Sequence, residues 1–380
     1  MPDVVVIGAG PVGTLLAGEL ARRGVDVGLY ERRPAAGGGT RAIGVHAPVL
    51  SALESSGVTE RLLAVAARVP RGEARSAGRS LGSVSFARLS TRFPFVATLP
   101  QAATEAVLAA GAPEPTRGAT AMAVTPRPDG VRVSIGIGGR PTELTAPIVV
   151  VATGAGGRDL VFRPGAVRAH EYRDRYLMTD AATGARDDDD LAVIHLDGRG
   201  VLESFPLPGG WRRFVTWDQP GADPDPAART TRLRDALDAR GEAEASVAIS
   251  EATGFGVRSF VAPKLRNGRV LVIGDAAHEV SPIGGQGMNL GLLDAATLAP
   301  LLATWVRTGE APDAELARWE ARRVASARTA ARLAAANTAL GRSAPRAVDA
   351  GRRALVRAML TAPVDRVFAR AYAMGFDADA

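Results

Sequence analysis

Two hydrophobic rhythms alternate along this chain. Val4 to Ile7 is an unbroken β-branched run, which suits a buried strand. Apolar residues then recur at helical spacing through Leu15, Leu16, Leu20 and Ala21 until Gly24 ends the pattern. Val25 to Tyr30 predicts a second strand stopping at Glu31, and Val49, Leu50, Leu53 and Val58 predict a short helix. From about Pro70 to Pro100, short alternations (Leu81, Val84, Phe86; Phe93, Phe95, Val96) predict antiparallel strands. A helix is predicted over 99–112, and a hairpin from Ala119 to Ile137 around Pro128-Asp129-Gly130. Ile148 to Val151 is again wholly apolar and predicts a central parallel strand, leading into Ala152-Thr153-Gly154-Ala155-Gly156-Gly157.

Residues 160–261 predict a second antiparallel block. Val193 to Leu196 and Val201 to Phe205 flank the Asp197-Gly198-Arg199-Gly200 turn, and another pair of strands flanks Gly209-Gly210. Asp187 to Asp190 reads as a solvated acidic loop in preference to a metal site, because nothing imposes a common geometry on its side chains. A Pro-rich linker, Asp218 to Pro226, precedes a helix near Ala227 to Arg240, and Ala245 to Phe260 reads as strand. Val270 to Ile273 is a third buried run, broken at Gly274-Asp275 and followed by glycines at 284, 285, 287 and 291 and a helix from about Met288. The remainder is helical: Asp313 to Leu340 sets Leu316, Trp319, Val324 and Leu333 on one side. Gly351 to Gly375 is amphipathic and basic, read as a terminal helix packed on the body of the protein in preference to a membrane or partner face.

Composition narrows the chemistry. At 380 residues the chain can bury a large core in two lobes. There is no Cys, so disulfides and thiolate chemistry are excluded, and His46, His170, His195 and His278 show no metal-ligand spacing. The net charge of +6 comes from scattered Arg, with Lys264 the sole lysine; a nucleic-acid binder would cluster such charge, so no nucleic-acid partner is expected. No apolar run looks long enough to cross a membrane, and the N-terminus reads as a strand and not a leader, so a cytoplasmic protein is expected.

The most informative stretch near the start is Gly8-Ala9-Gly10-Pro11-Val12-Gly13. It joins a strand to a helix, and a second strand ends on an acid 18 positions after Gly13. Gly8 makes the tight turn, Gly10 admits a pyrophosphate, Gly13 lets helix and strand pack, and Glu31 can accept from ribose hydroxyls. This unit marks a dinucleotide site and does not separate NAD from FAD. Arg32, Arg33 and Arg41 flank the Gly37-Gly38-Gly39 loop. Arg41 suits a diphosphate or an anionic ring edge; Arg32 and Arg33 read equally as ligand contacts or as a solvated pair. His46 reads as a surface residue in preference to a ligand contact. Asp275 is placed either to accept from sugar-like hydroxyls or to cap a helix.

Together the GxGxxG unit, Arg41, the Thr153-Gly154 turn and GDAAHEVSPIGGQGMNLGLLDA resemble the single-component FAD-dependent monooxygenases of the aromatic-hydroxylase class, the family of para-hydroxybenzoate hydroxylase and the ubiquinone-biosynthesis hydroxylases. The likeness spans roughly Val4 to Trp319 and is most specific in the GD segment. It implies an α/β fold: a Rossmann-like FAD-binding domain (1–70, 98–165 and 262–345), an inserted antiparallel-sheet substrate domain (71–97 and 166–261) and a C-terminal helical segment (346–380). It implies FAD held by Gly8, Gly10, Pro11, Val12 and Gly13, with Glu31 on the adenosine ribose. Arg41 and Gln101 would be flavin or pyrophosphate contacts, Arg32 and Arg33 would also touch the cofactor, and Asp275 would bind the ribityl chain. The Gly284 to Asn289 loop, with Gly285, Gly287 and Met288, would lie on the pyrimidine side, and Pro282 would wall the space before the ring.

The implied reaction uses NAD(P)H as a transient co-substrate and dioxygen, through a hydroperoxide at flavin carbon 4a, on an aromatic or polyketide-like small molecule of secondary metabolism such as antibiotic biosynthesis. The protein would be a monomer or homodimer. No catalytic side chain is named. One departure stands out: the family's third motif carries Asp-Gly, and this chain has Thr153-Gly154, which keeps a hydrogen-bonding group but no charge. Three rivals share the fold: a flavin-dependent halogenase, which would need a catalytic Lys and a Trp-x-Trp-x-Ile-Pro motif; a flavin reductase or dehydrogenase; and a non-catalytic flavin-binding partner protein.

Overall fold

The computed structural model describes every residue except Ala36, 38–41, 88–91, Pro164, Ala166 and 378–380. Two large sheets organise it. The first runs Arg266–Asn267, Val270–Val272, Ile148–Val151, Val4–Ile7, Val27–Glu31, Thr116–Arg117 in spatial order. Its neighbours are parallel except at the Arg266–Asn267 edge. The three wholly apolar runs seen in the sequence are its centre, and each of their residues is buried. That is what a parallel sheet covered on both faces requires. Helices Pro11–Ala21, Gln101–Ala109 and Gly287–Thr308 join the same core through Leu15, Leu16, Leu20, Leu108, Leu290 and Leu293. Two of them approach closely: a Cβ at Gly291 would lie 2.5 Å from Val12 Cγ2.

The second sheet has eight strands, in the order His278–Glu279, Thr253–Val261, His170–Ala182, Trp211–Asp218, Gly200–Leu207, Leu191–Asp197, Arg71–Ser76, Arg79–Ser85. It is antiparallel except where Leu191–Asp197 runs parallel to Arg71–Ser76. That junction unites segments more than a hundred residues apart, so no hairpin turn dictates its direction. A separate meander, Ala119–Pro126, Val131–Ile137 and Arg140–Ala146, adds a third strand to the expected hairpin. The third strand is polar and mostly exposed, which hid it from a search for apolar alternation.

Four expectations need correction. The stretch from Ala245 is not all strand: Ala243–Val247 is helical and the strand is Thr253–Val261. Alanine favours the helix, and Ala245 packs with Leu233, Leu237 and Ile249 beneath the sheet. The amphipathic run 351–375 is two helices, Arg346–Met359 and Val364–Tyr372, separated at Pro363, which cannot continue a helix. Asp188 is not a free loop acid: it pairs with Arg186 and the buried Arg212. Helix Gly287–Thr308 is long and apolar enough to cross a membrane by length and composition, but 67% of its most apolar window is buried inside the protein.

A buried ionic chain ties the end of the molecule to its middle. Asp294 accepts from Gly274 N–H at 3.1 Å and from Arg323 Nε at 2.8 Å, and lies 2.6 Å from His278 Nε2. Arg323 also donates to Asp377 and to the Leu290 carbonyl. Burial opposes ionisation of Asp294, yet His278 and Arg323 outweigh it and hold the carboxyl below the usual range. A depressed folded-state value means this stability is present above about pH 4, the unfolded range, and is lost as pH falls through the folded value. Arg323→Ala should therefore cost ~3–5 kcal/mol in urea unfolding at pH 7, with the difference from wild type shrinking in acid.

Candidate active site: a glycine-lined cleft opening into a sheet-walled cavity

The parallel strands deliver their C-terminal ends to one cleft. At the first, Gly8 and Gly13 make the close approach that the sequence implied. A Cβ on Gly13 would stand 1.9 Å from the Gly8 carbonyl oxygen, and one on Gly8 would stand 2.4 Å from that of Ala152. Gly10 differs: a Cβ there would meet nothing within 4 Å, so its surface is open to the cleft. Helix Pro11–Ala21 starts at Gly10 with no side-chain cap and no acid in its first turn. Helix Gly287–Thr308 starts the same way. Both begin on residues that line one cavity of ≈ 690 Å³. Uncapped helix starts leave N–H donors and partial positive charge facing that space, which suits an anion such as a diphosphate.

Glu31 ends the second strand and is buried. Its Oε2 accepts from Ala9 N–H at 2.8 Å, and its Oε1 accepts from the Arg33 backbone and guanidinium. Burial disfavours its charge, but these donors outweigh that and hold the carboxyl below its usual range. Arg33 is thereby committed to Glu31, while Arg32 is exposed at the rim. Gln101 accepts from Ala42 N–H and donates to Glu105. Arg41 lies outside the described residues.

The same cavity is lined by Pro11, Val12, Thr153, Gly154, Asp275, Pro282, Gly285, Gly287 and Met288. Thus Gly10 and Asp275, 265 positions apart, face one space. The Gly274-Asp275 turn is fixed from outside by Arg158. Its guanidinium donates to the Asp275 carbonyl at 2.7 Å and to Glu279 at 2.8 Å, and lies 4.3 Å from the Phe260 ring centre. Asn289 does not line the cavity. Its Oδ1 accepts from His46 N–H and its Nδ2 donates to the Gly44 and Gly285 carbonyls, so the side chain bolts two loops together behind the wall. Gly13 likewise sits behind the lining.

Several lining groups escaped the sequence reading. His46, expected at the surface, is 2% exposed. Burial pushes its imidazole down to about 4, partly opposed by a hydrogen bond to the Gly285 carbonyl, so the ring is neutral. Its setting in AIGVHAPVL, apolar on both sides, was the available signal. Tyr372 closes over His46 and Phe86 with ring centres 6.4 and 6.3 Å away. Gln286 donates to the Ala371 carbonyl and so holds this C-terminal turn in place. Opposite the cleft, the inner face of the eight-stranded sheet contributes Met178, Ile194, Val201, Glu203, Phe205, Val215 and Phe255.

The residues lining the glycine-rich end of this space suit FAD. Gly10 is open where a side chain would intrude, and Glu31 stands at the strand end. Comparison with known proteins agrees. Residues 1–334 match the FAD binding domain family. The chain belongs to this family. Its relatives include 6-methylpretetramide 4-monooxygenase of Streptomyces rimosus, 36% identical over 372 residues, which cover 92% of this chain and 65% of that protein. Another is a rifampicin monooxygenase of Streptomyces venezuelae, 31% identical, covering 85% and 68%. The chain spans about two thirds of the length of the curated relatives it matches. Among solved structures, OxyS anhydrotetracycline hydroxylase from Streptomyces rimosus superposes with a TM-score of 0.77 at 27% identity, over 98% of this chain and 75% of that one. The p-nitrophenol 4-monooxygenase PnpA from Pseudomonas putida DLL-E4 reaches 0.85 at 22% identity over 98% of both chains, which establishes the shared fold.

This flavin-binding family assignment makes the glycines separable by experiment. Gly10→Ala has room in the protein and should keep the wild-type melting temperature without cofactor while weakening FAD binding by about tenfold or more. Gly13→Ala must move the Gly8 turn and should lower the melting temperature of the cofactor-free protein itself. Fluorescence titration with FAD and thermal melts of both variants read the difference.

Proposed function

We propose that this protein is an FAD-dependent monooxygenase that hydroxylates an aromatic or polyketide-like small molecule using NAD(P)H and dioxygen. The observation that carries the reading is the continuity of the cavity. It runs from Gly10 and Glu31, past Asp275 and Pro282, to an apolar sheet face. The balance is substrate C–H plus O₂, NAD(P)H and a proton giving C–OH, NAD(P)⁺ and water. Bound FAD supplies the redox chemistry, taking electrons from the nicotinamide and activating dioxygen.

The chain's own residues bind, orient and exclude water. Gly10, Pro11, Val12 and the first helix would receive the diphosphate, and Glu31 the adenosine ribose. Asp275 would accept from the ribityl hydroxyls. Gly285, Gly287 and Met288, at the start of helix Gly287–Thr308, would face the pyrimidine edge, where the helix's positive end stabilises negative charge. Thr153 lines the cavity where the family pattern has Asp, and brings no charge there. Pro282 and the roof formed by Leu360, Phe368 and Tyr372 would keep water from the reacting face. The tetracycline and rifampicin monooxygenases named above support this class of substrate. A halogenase is disfavoured, because Lys264 is exposed and does not line the cavity.

The purified protein should be yellow, and anaerobic NADH or NADPH should bleach it, faster with an acceptable aromatic present. Labelled dioxygen should then place one oxygen atom in product. Asp275→Ala should lose most bound flavin at equal protein concentration. A flavin that neither nucleotide reduces, with or without aromatic compounds, would replace this reading with that of a non-oxygenating flavoprotein.

A further inference from the structure

The apolar wall of the cavity carries one group that the packing does not explain. Glu203 stands on the central strand Gly200–Leu207, in phase with Val201 and Phe205 on the cavity face. Its cross-strand neighbours are Ile194 on one side and Val215 on the other. A carboxyl is thus framed by four apolar side chains, all lining the same cavity. It is 6% exposed, and no hydrogen bond or ion pair reaches it among the described residues. Alternation places Leu202 and Ser204 on the opposite face, where Ser204 is bonded to Arg212 and Leu202 joins the helical layer. Glu203 therefore points into the cavity because the strand's register sends it there. Burial alone pushes its carboxyl up to about 8. Leaving such a group without a partner costs stability, and a residue of similar bulk such as Leu would avoid that cost.

We propose that Glu203 is the substrate anchor of this cavity, binding a phenolic hydroxyl of a planar aromatic substrate. Ionised or neutral, a carboxyl keeps a lone pair to accept a phenol O–H. A hydroxyl suits the site better than an ammonium, since the buried Arg213 shares this sheet face and both uncapped helix starts are positive toward the cavity. Discrimination comes from the carboxyl being otherwise unpaired: a ligand lacking the hydroxyl leaves it buried and unsatisfied. The proposal deepens the monooxygenase reading and rests on it for the substrate class, but its test needs no turnover.

The test is equilibrium binding of 1-naphthol and 1-methoxynaphthalene to the FAD-saturated protein, followed by ligand fluorescence, in wild type, Glu203→Leu and Glu203→Gln. Glu203→Leu should weaken 1-naphthol by about tenfold or more while leaving 1-methoxynaphthalene unchanged or tighter. Glu203→Gln, which keeps an acceptor, should retain most of the naphthol affinity. Equal losses for both ligands, no change for either, or no naphthol binding by wild type would each overturn the anchor.

A second readout is stability. A folded-state value above the unfolded one means that stability falls as pH rises between the two. The melting-temperature advantage of Glu203→Gln over wild type should widen from pH 5 to pH 8. Burial pushes Tyr176 and Tyr372, which act on the same carboxyl, up and away from that window, and the Arg213 guanidinium is held by Asp180. A constant difference would show that the carboxyl is not held unpartnered. Outcomes also separate the two readings. Naphthol discrimination in a protein that NAD(P)H cannot reduce keeps the anchor and removes the oxygenase; a reducible flavoprotein indifferent to Glu203 does the reverse.

Discussion

One buried carboxylate holds this site in shape. Asp294 sits on the second turn of the Gly287–Thr308 helix, with no exposure to solvent. Its two oxygens receive the Gly274 N–H, the Arg323 guanidinium and the His278 ring. The turn that presents Asp275 and the helix whose start faces the cavity are therefore fixed to each other. Arg323 extends the linkage to Asp377, and Gln286 adds a bond to the C-terminal helix. A buried ion pair is weak evidence for stability gained, because desolvation offsets much of its attraction. Here its effect is positional: it sets where strand end, helix start and C-terminal roof meet.

Around that junction the chain leaves a set of groups unmatched, and each has a direction. Two helix starts lack caps, and Gly10 has open space where a side chain would stand. These lie toward the polar half of one cavity. The inner sheet face supplies the apolar half, broken by Glu203. A protein that satisfied only its own packing would have closed these positions. Their convergence on one elongated space is the physical basis for a ligand with a charged middle and a flat apolar end, which FAD satisfies.

Much of this was readable in the residues. Val4 to Ile7, Ile148 to Val151 and Val270 to Ile273 are wholly apolar because they are covered on both faces, and the glycines after them are spaced for close approach. Local sequence carries that information. It does not carry partners distant in the chain. His46 read as a surface residue because its burial depends on Asn289, 243 positions away, and on Tyr372. Arg158 gave no sign that it braces the Asp275 turn. Glu203 is a different case: its phase with Val201 and Phe205 was visible in GVLESFPL, but only the eight-stranded sheet shows that this face is the cavity wall. The roof was hidden for the same reason, since amphipathicity identified a helix but not the surface it covers.

A crystal structure of the protein grown with FAD would test this account most directly. It should place the adenosine ribose against Glu31, the diphosphate over Gly10 and the start of the first helix, and the isoalloxazine between the Asp275–Pro282 segment and the Glu203 face of the sheet. Flavin density on any other surface, or a ring separated from that sheet face by packed protein, would contradict it.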